Sequence, residues 1–84
     1  IPVTSIKSMV GHCLSAAGAI EAAVLALSIA HGVVPPTIHY REPDPECPLD
    51  VVANSARQAD IACGVSTSLA FGGNNAALVM RRVA

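Results

Sequence analysis

The sequence predicts an α/β segment built from a short strand, a long buried helix, a proline-rich loop and a β-hairpin, a set of elements that is incomplete alone. Three observations carry this. The run "LSAAGAIEAAVLALSIA" from Leu14 to Ala30 is rich in strong helix formers. The stretches "IACGVSTSLAF" (Ile61 to Phe71) and "NAALVMRRV" (Asn75 to Val83) are continuously apolar and flank the turn "GGN". With 84 residues in the chain, helix and hairpin cannot cover each other on every side.

In chain order, Val3 to Ile6 is a short strand candidate. The helix follows, stopped by His31 and Gly32 with Pro35 and Pro36 beyond. Around its axis Leu14, Ala17, Ile20, Val24, Leu27 and Ile29 leave Glu21 and Ser28 as the clear polar interruptions, and a helix apolar nearly all round is buried all round. The stretch falls short of the roughly 20 residues a bilayer needs and contains Glu21, so a soluble buried helix is expected and no membrane span. In "REPDPECPLD", Pro43, Pro45 and Pro48 forbid regular structure and favour an extended surface connection. The missing layers are expected to come from a larger protein or from other copies of the chain.

Composition narrows the function classes. The net charge is −1 and the basic residues are scattered, with Arg81 and Arg82 too few to make the footprint of a nucleic-acid binder. Cys13, Cys47 and Cys63 are odd in number and contain no CxxC pair, which suggests neither a disulfide framework nor a zinc knuckle and makes a reducing cytoplasm the natural setting. His31 and His39 lack metal-site spacing with His12, and Asp44, Glu46 and Asp50 lack the rhythm of a calcium loop, so no metal is expected. Ile1 opens the chain without a charged n-region and apolar h-region after it, so the expectation is a piece of a longer protein with no signal peptide.

Two clusters carry candidate chemistry. In "SIKSMVGHCLSAAGA", Lys7 and His12 stand five apart at the mouth of the helix, and Gly11 before the histidine permits an unusual backbone angle or a close approach. His12 reads either as a structural hydrogen-bonder or as a neutral imidazole, held so by the helix N-terminus, that donates to a carbonyl gaining charge. Lys7 is either an ordinary surface lysine or a source of positive charge at the same spot. Cys13 adjoins His12, but sequence neighbours rarely meet in dyad geometry, so it reads as a small buried residue. In "AFGGNNA" (Ala70 to Ala76) the paired glycines first make a turn, and they also bring backbone N–H groups within reach of a ligand, as in an oxyanion hole.

The order of these clusters, "KSMVGHCLSAAGAIEA", then "VVPPTIHYREPDPECPLDVV", then "SLAFGGNNAALVM", resembles the C-terminal portion of a β-ketoacyl-acyl-carrier-protein synthase over essentially all of residues 1–84. The family's K-S-x-x-G-H-x-x-G-A-A-G pattern is met at Lys7, Ser8, Gly11, His12, Ala16, Ala17 and Gly18, with Ser15 replacing a glycine. Its P-P-T turn is Pro35, Pro36 and Thr37. Its F-G-G-T-N turn is Phe71, Gly72, Gly73 and Asn75, with Asn74 in place of threonine and Ala70 in place of the glycine that often precedes.

The resemblance implies a thiolase-like fold of two αβαβα halves, of which this chain would close the second. It implies an acyltransferase that performs decarboxylative Claisen condensation in fatty acid or polyketide synthesis. His12 then resembles the second active-site histidine, which hydrogen-bonds the malonyl thioester carbonyl, and Lys7 the lysine that orders that site. The Phe71 N–H would be half of an oxyanion hole and its ring a gate, with Gly72 and Gly73 bending the loop and Gly11 and Asn75 in support. The nucleophilic cysteine and first histidine would lie in upstream sequence, so residues 1–84 alone are expected to be inactive. No cofactor is implied beyond acyl groups carried on the phosphopantetheine of acyl carrier protein. The implied partners are the remainder of the synthase chain, acyl carrier protein, and a second synthase subunit in a homodimer or heterodimer. The alternative is a non-catalytic partner of the chain-length-factor kind.

Overall fold

A computed structural model describes residues 1–83. The chain opens with β1 (Pro2–Val3), followed by a one-turn helix α1 (Lys7–Val10), a 3-10 turn at Leu14–Ala16 and the long helix α2 (Ala17–His31). Two-residue strands follow at β2 (Val33–Val34), β3 (Asp50–Val51) and β4 (Arg57–Gln58), before the hairpin of β5 (Cys63–Leu69) and β6 (Asn75–Arg81).

The expected strand from Val3 to Ile6 is shorter than the sequence suggested. β1 runs parallel to β3 only over Pro2 and Val3, after which Val3 C=O accepts the N–H of Val52 at 3.0 Å and the ladder ends. Thr4 and Ser5 then bond to the Pro35–Thr37 segment through hydroxyl groups. Ile6 turns the chain by accepting from Met9 N–H and Val10 N–H, which places Lys7 on a helical turn rather than after a strand. A small sheet-like knot results: residues 50–54 lie between β1 on one side and Thr37 on the other, with Thr37 N–H donating to Val52 C=O at 2.7 Å and Asn54 N–H donating to Thr37 C=O at 2.9 Å. Val52, at the centre, is 1% exposed.

Helix α2 ends as expected at Gly32, whose left-handed backbone (φ 65°, ψ 37°) brings its N–H to Ser28 C=O. Its start differs. Leu14, Ser15 and Ala16 form a 3-10 turn entered through a left-handed Leu14, and the α-helix proper begins at Ala17 with no side-chain cap. β2 leaves the cap and pairs antiparallel with β4, Val33 opposite Gln58 and Val34 opposite Arg57. Arg57 also forms a two-pronged ion pair with Asp50 at 2.8 and 2.9 Å, joining β4 to β3. That guanidinium hydrogen bond holds the Asp50 carboxyl below its ordinary range and raises the arginine above its own.

The hairpin pairs seven residues on each strand, from Cys63 opposite Arg81 to Leu69 opposite Asn75, within the expected apolar stretches. Ala70 N–H donates to Asn74 C=O at 2.8 Å and closes the turn. Strand alternation sends Gly64, Ser66 and Ser68 to the side of α2. The bare backbone at Gly64 lets the layers meet there. A Cβ on Gly64 would run into the Leu25 side chain, and one on Gly18 would lie 3.7 Å from Ser68 Oγ.

The expectation of a helix buried on all sides is not met within this chain. Among the described residues the buried apolar set is Ile6, Ile29 and Val52, while Leu14, Leu27, Val65, Leu69 and Val79 are exposed. One hairpin covers one face of α2, and Val65, Leu69 and Val79 occupy the hairpin's opposite face uncovered. The helical stretch Leu14–His31 is long and apolar enough by length and composition to cross a membrane. Its α-helical part of 15 residues rises only about 22 Å, short of a bilayer's hydrocarbon core, and Glu21 within it carries an ion pair.

Expressed alone, residues 1–84 should therefore bind a hydrophobic dye and self-associate at micromolar concentration. Sedimentation combined with denaturant unfolding checks this. A monomer with a sharp cooperative transition would contradict it.

Candidate active site

Gly18 faces Ser68 and Leu25 faces Gly64, so α2 and β5 run in opposite directions. The hairpin turn and the approach to α2 accordingly share one end of the layer. Lys7 and His12, from one stretch before α2, and Glu21, which pairs with Lys7, lie toward that end, as does the hairpin turn that carries Phe71.

Lys7 and His12 are spaced by one helical turn and a glycine. The N–H of Gly11 donates to Lys7 C=O at 2.8 Å and ends α1, and the left-handed Gly11 (φ 76°, ψ 176°) sends the chain on to His12. Nothing lies within 4 Å of a Cβ built on Gly11, so the backbone angle is what requires glycine and a close approach is not.

The charge of Lys7 is not unpaired beside His12. Its Nζ forms an ion pair with Glu21 Oε2, in which the lysine side chain is 37% exposed and the glutamate 17%. The pair straps α1 to the first part of α2. Glu21 was legible only as a polar break in an apolar helix; the signal that it needed a cation was its half-buried position, since a carboxylate leaving water must find a partner.

His12 is exposed, and its Nδ1 accepts the backbone N–H of Leu14 at 3.0 Å. A ring nitrogen that accepts cannot carry the proton, so the neutral ring holds its hydrogen on Nε2. The contact takes up one of the N–H groups left over at the start of a helical turn. The sequence suggested that the dipole of the long helix would act on His12. The structure inserts residues 14–16 between them and supplies one directed N–H in place of a diffuse field. Leu14 sits at φ 52°, a left-handed conformation that costs a residue with a Cβ roughly 1–2 kcal/mol. Cys13 is half-buried with its Sγ near the carbonyls of Val10 and Gly11, and makes no dyad with His12.

The second cluster is a turn. Gly72 and Gly73 have φ values of 84° and 83°, both left-handed, with open space where side chains would be. Phe71 at its crest is fully exposed, and Asn75 opens β6 opposite Leu69. Among the described residues no three metal-ligating side chains gather. The apolar groove between Ile29, Ala30, Met80 and Val83 lies at the C-terminal end of α2, away from this chemistry.

Residues 1–41 match the family model described as the C-terminal domain of beta-ketoacyl synthase. The chain matches the C-terminal segment of β-ketoacyl synthases. It is 52% identical over 82 residues to the ketoacyl synthase alpha subunit of tetracenomycin polyketide synthase from Streptomyces glaucescens, covering 98% of this chain and 19% of that protein. It is 54% identical over 82 residues to 3-oxoacyl-[acyl-carrier-protein] synthase 2 of Staphylococcus aureus (strain COL), covering 98% of this chain and 20% of the relative. Among solved structures, the ishigamide ketosynthase/chain length factor superposes with a TM-score of 0.94 at 48% identity, over 96% of this chain and 20% of that one. A type II acyl-carrier protein in complex with its ketosynthase gives 0.96 at 44% identity, over 100% of this chain and 21% of that one. The ketoacyl-synthase-like segment thus spans about a fifth of the length of the curated relatives it matches. Its α/β architecture is the one these ketosynthase structures have over the same stretch.

In a full-length synthase that carries this segment, nitrogen-15 chemical shifts should report neutral His12 as protonated on Nε2. A ring protonated mainly on Nδ1 would contradict the Leu14 contact.

Proposed function

We propose that this chain is the closing segment of a β-ketoacyl synthase, in the second αβαβα half of a thiolase-like fold, and that it supplies the malonyl-activating side of a decarboxylative Claisen condensation. One observation carries the reading: Leu14 N–H occupies Nδ1 of an exposed His12 and leaves Nε2–H as the ring's donor. A neutral N–H donor is suited to a thioester oxygen that gains charge.

The chemistry divides between this segment and the rest of the parent. An upstream cysteine thiolate attacks an acyl thioester and expels the carrier thiolate, which takes a proton from water. In malonyl-thioester the bond to the carboxylate then breaks and carbon dioxide leaves. Its electron pair moves into the enolate, whose oxygen accepts from His12 Nε2–H. The enolate carbon attacks the cysteine-bound carbonyl, whose oxyanion accepts from the Phe71 N–H, and collapse returns the thiolate. In this scheme the Lys7–Glu21 pair fixes the turn that ends in His12 and adds polarity beside it. Gly11, Gly72 and Gly73 provide the backbone angles, Asn75 sets the end of the turn, and the Phe71 ring gates the acyl pocket.

Acyl carrier protein is the proposed donor of both substrates, on its phosphopantetheine arm, and the neighbour solved with its acyl-carrier protein supports that partnership. No other cofactor is invoked. The parent would work in the cytoplasm as a homodimer or a synthase heterodimer. A second reading, a chain-length-factor-like partner without condensing activity, is favoured by the likeness to a ketosynthase/chain length factor structure. The combination of His12 with an ordered tautomer and a strapped Lys7 supports the catalytic reading, because a scaffold has no need of either.

In the full-length parent, His12→Ala should slow malonyl decarboxylation about 10²- to 10³-fold while leaving acyl loading on the upstream cysteine nearly intact. Mass-spectrometric loading measured beside carbon dioxide release tests this, and equal loss of both would count against the assigned role. Phe71→Ala keeps the backbone N–H and removes the ring. It should raise unprimed malonyl decarboxylation relative to condensation, and an unchanged ratio would make Phe71 simply a packing residue.

A further inference from the structure

Two motif hydroxyls have no part in the chemistry above: Ser8, beside Lys7, and Thr37, which closes the P-P-T turn. The structure joins both to the backbone of one residue, Ser5. Ser5 N–H donates to Thr37 Oγ1 at 2.8 Å. Ser8 Oγ donates to Ser5 C=O at 3.1 Å and accepts Ile38 N–H at 2.9 Å. Thr4 Oγ1 donates to Pro35 C=O at 2.7 Å and lies 3.1 Å from Thr37 Oγ1.

The hydrogens in this cluster can be assigned. A hydroxyl has one proton to give, and that of Thr4 goes to the Pro35 carbonyl. The proton between the two threonines must then come from Thr37. Thr37 Oγ1 keeps its lone pairs for Ser5 N–H. The chain of donation runs one way, from Ser5 N–H to Thr37 to Thr4 to Pro35 C=O. A second chain runs from Ile38 N–H through Ser8 to Ser5 C=O. Both polar groups of Ser5 end on adjacent residues of one distant strand-like segment. That segment is itself fixed, because Thr37 is bonded through both backbone groups to Val52 and Asn54 around the fully buried Val52 side chain.

We infer that Thr37, with Ser8, is a positioning residue: it clamps the start of the turn from Lys7 to His12, and so sets where the imidazole stands. Three ties hold that turn. The hydroxyl chains fix its entry, the Lys7–Glu21 pair fixes its middle to α2, and Leu14 N–H fixes the ring at its exit. Ser5 stands only two residues before Lys7, and its own side chain contributes nothing to the clamp, so the information lies in residues 4, 8 and 37. Loss of the Thr37 hydroxyl removes the acceptor for Ser5 N–H and the donor for Thr4 in one step, while the small shift of the turn that follows is felt at His12. Catalytic donors lose rate steeply with displacement. The inference rests on the reading of His12 as the malonyl-side donor.

The test uses the full-length parent synthase, with Thr37→Val as the isosteric variant lacking the hydroxyl, Thr37→Ser as the variant that keeps it, and His12→Ala alongside. Thr37→Val should lower malonyl decarboxylation about 10-fold, as expected for loss of roughly one hydrogen bond's worth of order, with acyl loading on the upstream cysteine within about twofold. Thr37→Ser should recover most of the loss. Equal loss of loading and decarboxylation, no loss of either, or a serine variant as impaired as the valine variant would overturn the inference. If Thr37→Val does not yield folded protein, Ser8→Ala asks the same question from the other hydroxyl chain, and the same split between the two half-reactions is required. His12→Ala separates the two possible failures. If it splits the half-reactions while the Thr37 and Ser8 variants do not, positioning alone is wrong; if it fails to split them, the functional reading falls and the clamp's role falls with it.

Discussion

The approach of α2 to β5 at glycine is the constraint on which the rest of the segment depends. With no side chain at Gly64, Leu25 packs into the strand, and Gly18 comes close to Ser68 at the other end. These two contacts fix both the separation and the antiparallel sense of helix and hairpin. Reversing that sense would carry the Phe71 turn to the end where His31 and Gly32 lie, and the two candidate clusters would be separated by the length of a 15-residue helix. A Cβ at Gly64 would displace the Leu25 side chain that packs there, whereas one at Gly18 would make only ordinary contact with Ser68.

From that layer the candidate site is assembled by ties of different kinds. The Lys7–Glu21 pair is ionic and half-exposed, the Leu14 contact is a backbone donor turned by a left-handed residue, and the entry to the turn is held by hydroxyls. Each holds a different coordinate of a short loop that lacks the internal hydrogen bonding of a long helix. A loop so constrained presents an imidazole in one orientation without burying it.

Much of this was legible in the residues. The α2 stop at Gly32, the irregular proline-rich stretch and the hairpin around Gly72 and Gly73 follow local rules of propensity and turn chemistry, so they could be read in order. The motif order that carries the resemblance to β-ketoacyl synthases was equally visible. The short strands β2, β3 and β4 were not, because two-residue ladders have no periodicity to detect and exist only through partners such as Val3 and Gln58 that are far away in sequence. The same holds for Ile6, apolar and β-branched yet placed at a turn by its carbonyl. The break of the helix at Leu14 ran against propensity altogether. Glu21 was noticed as an anomaly and its partner missed, since the link spans the loop between α1 and α2 and depends on how that loop folds. The roles of Thr37 and Ser8 required three-dimensional proximity across some thirty residues, which no local pattern encodes.

The one-way hydroxyl chains contain only peptide groups and alcohols, none of which gains or loses a proton in the range where proteins stay folded. Their hydrogen order is also fixed from both ends, by an N–H that can only give and a carbonyl that can only receive. The entry of the turn is thus insulated from acidity, and the foundation beneath the imidazole keeps a single arrangement. The candidate site is in this way mounted on a frame that has no proton to lose.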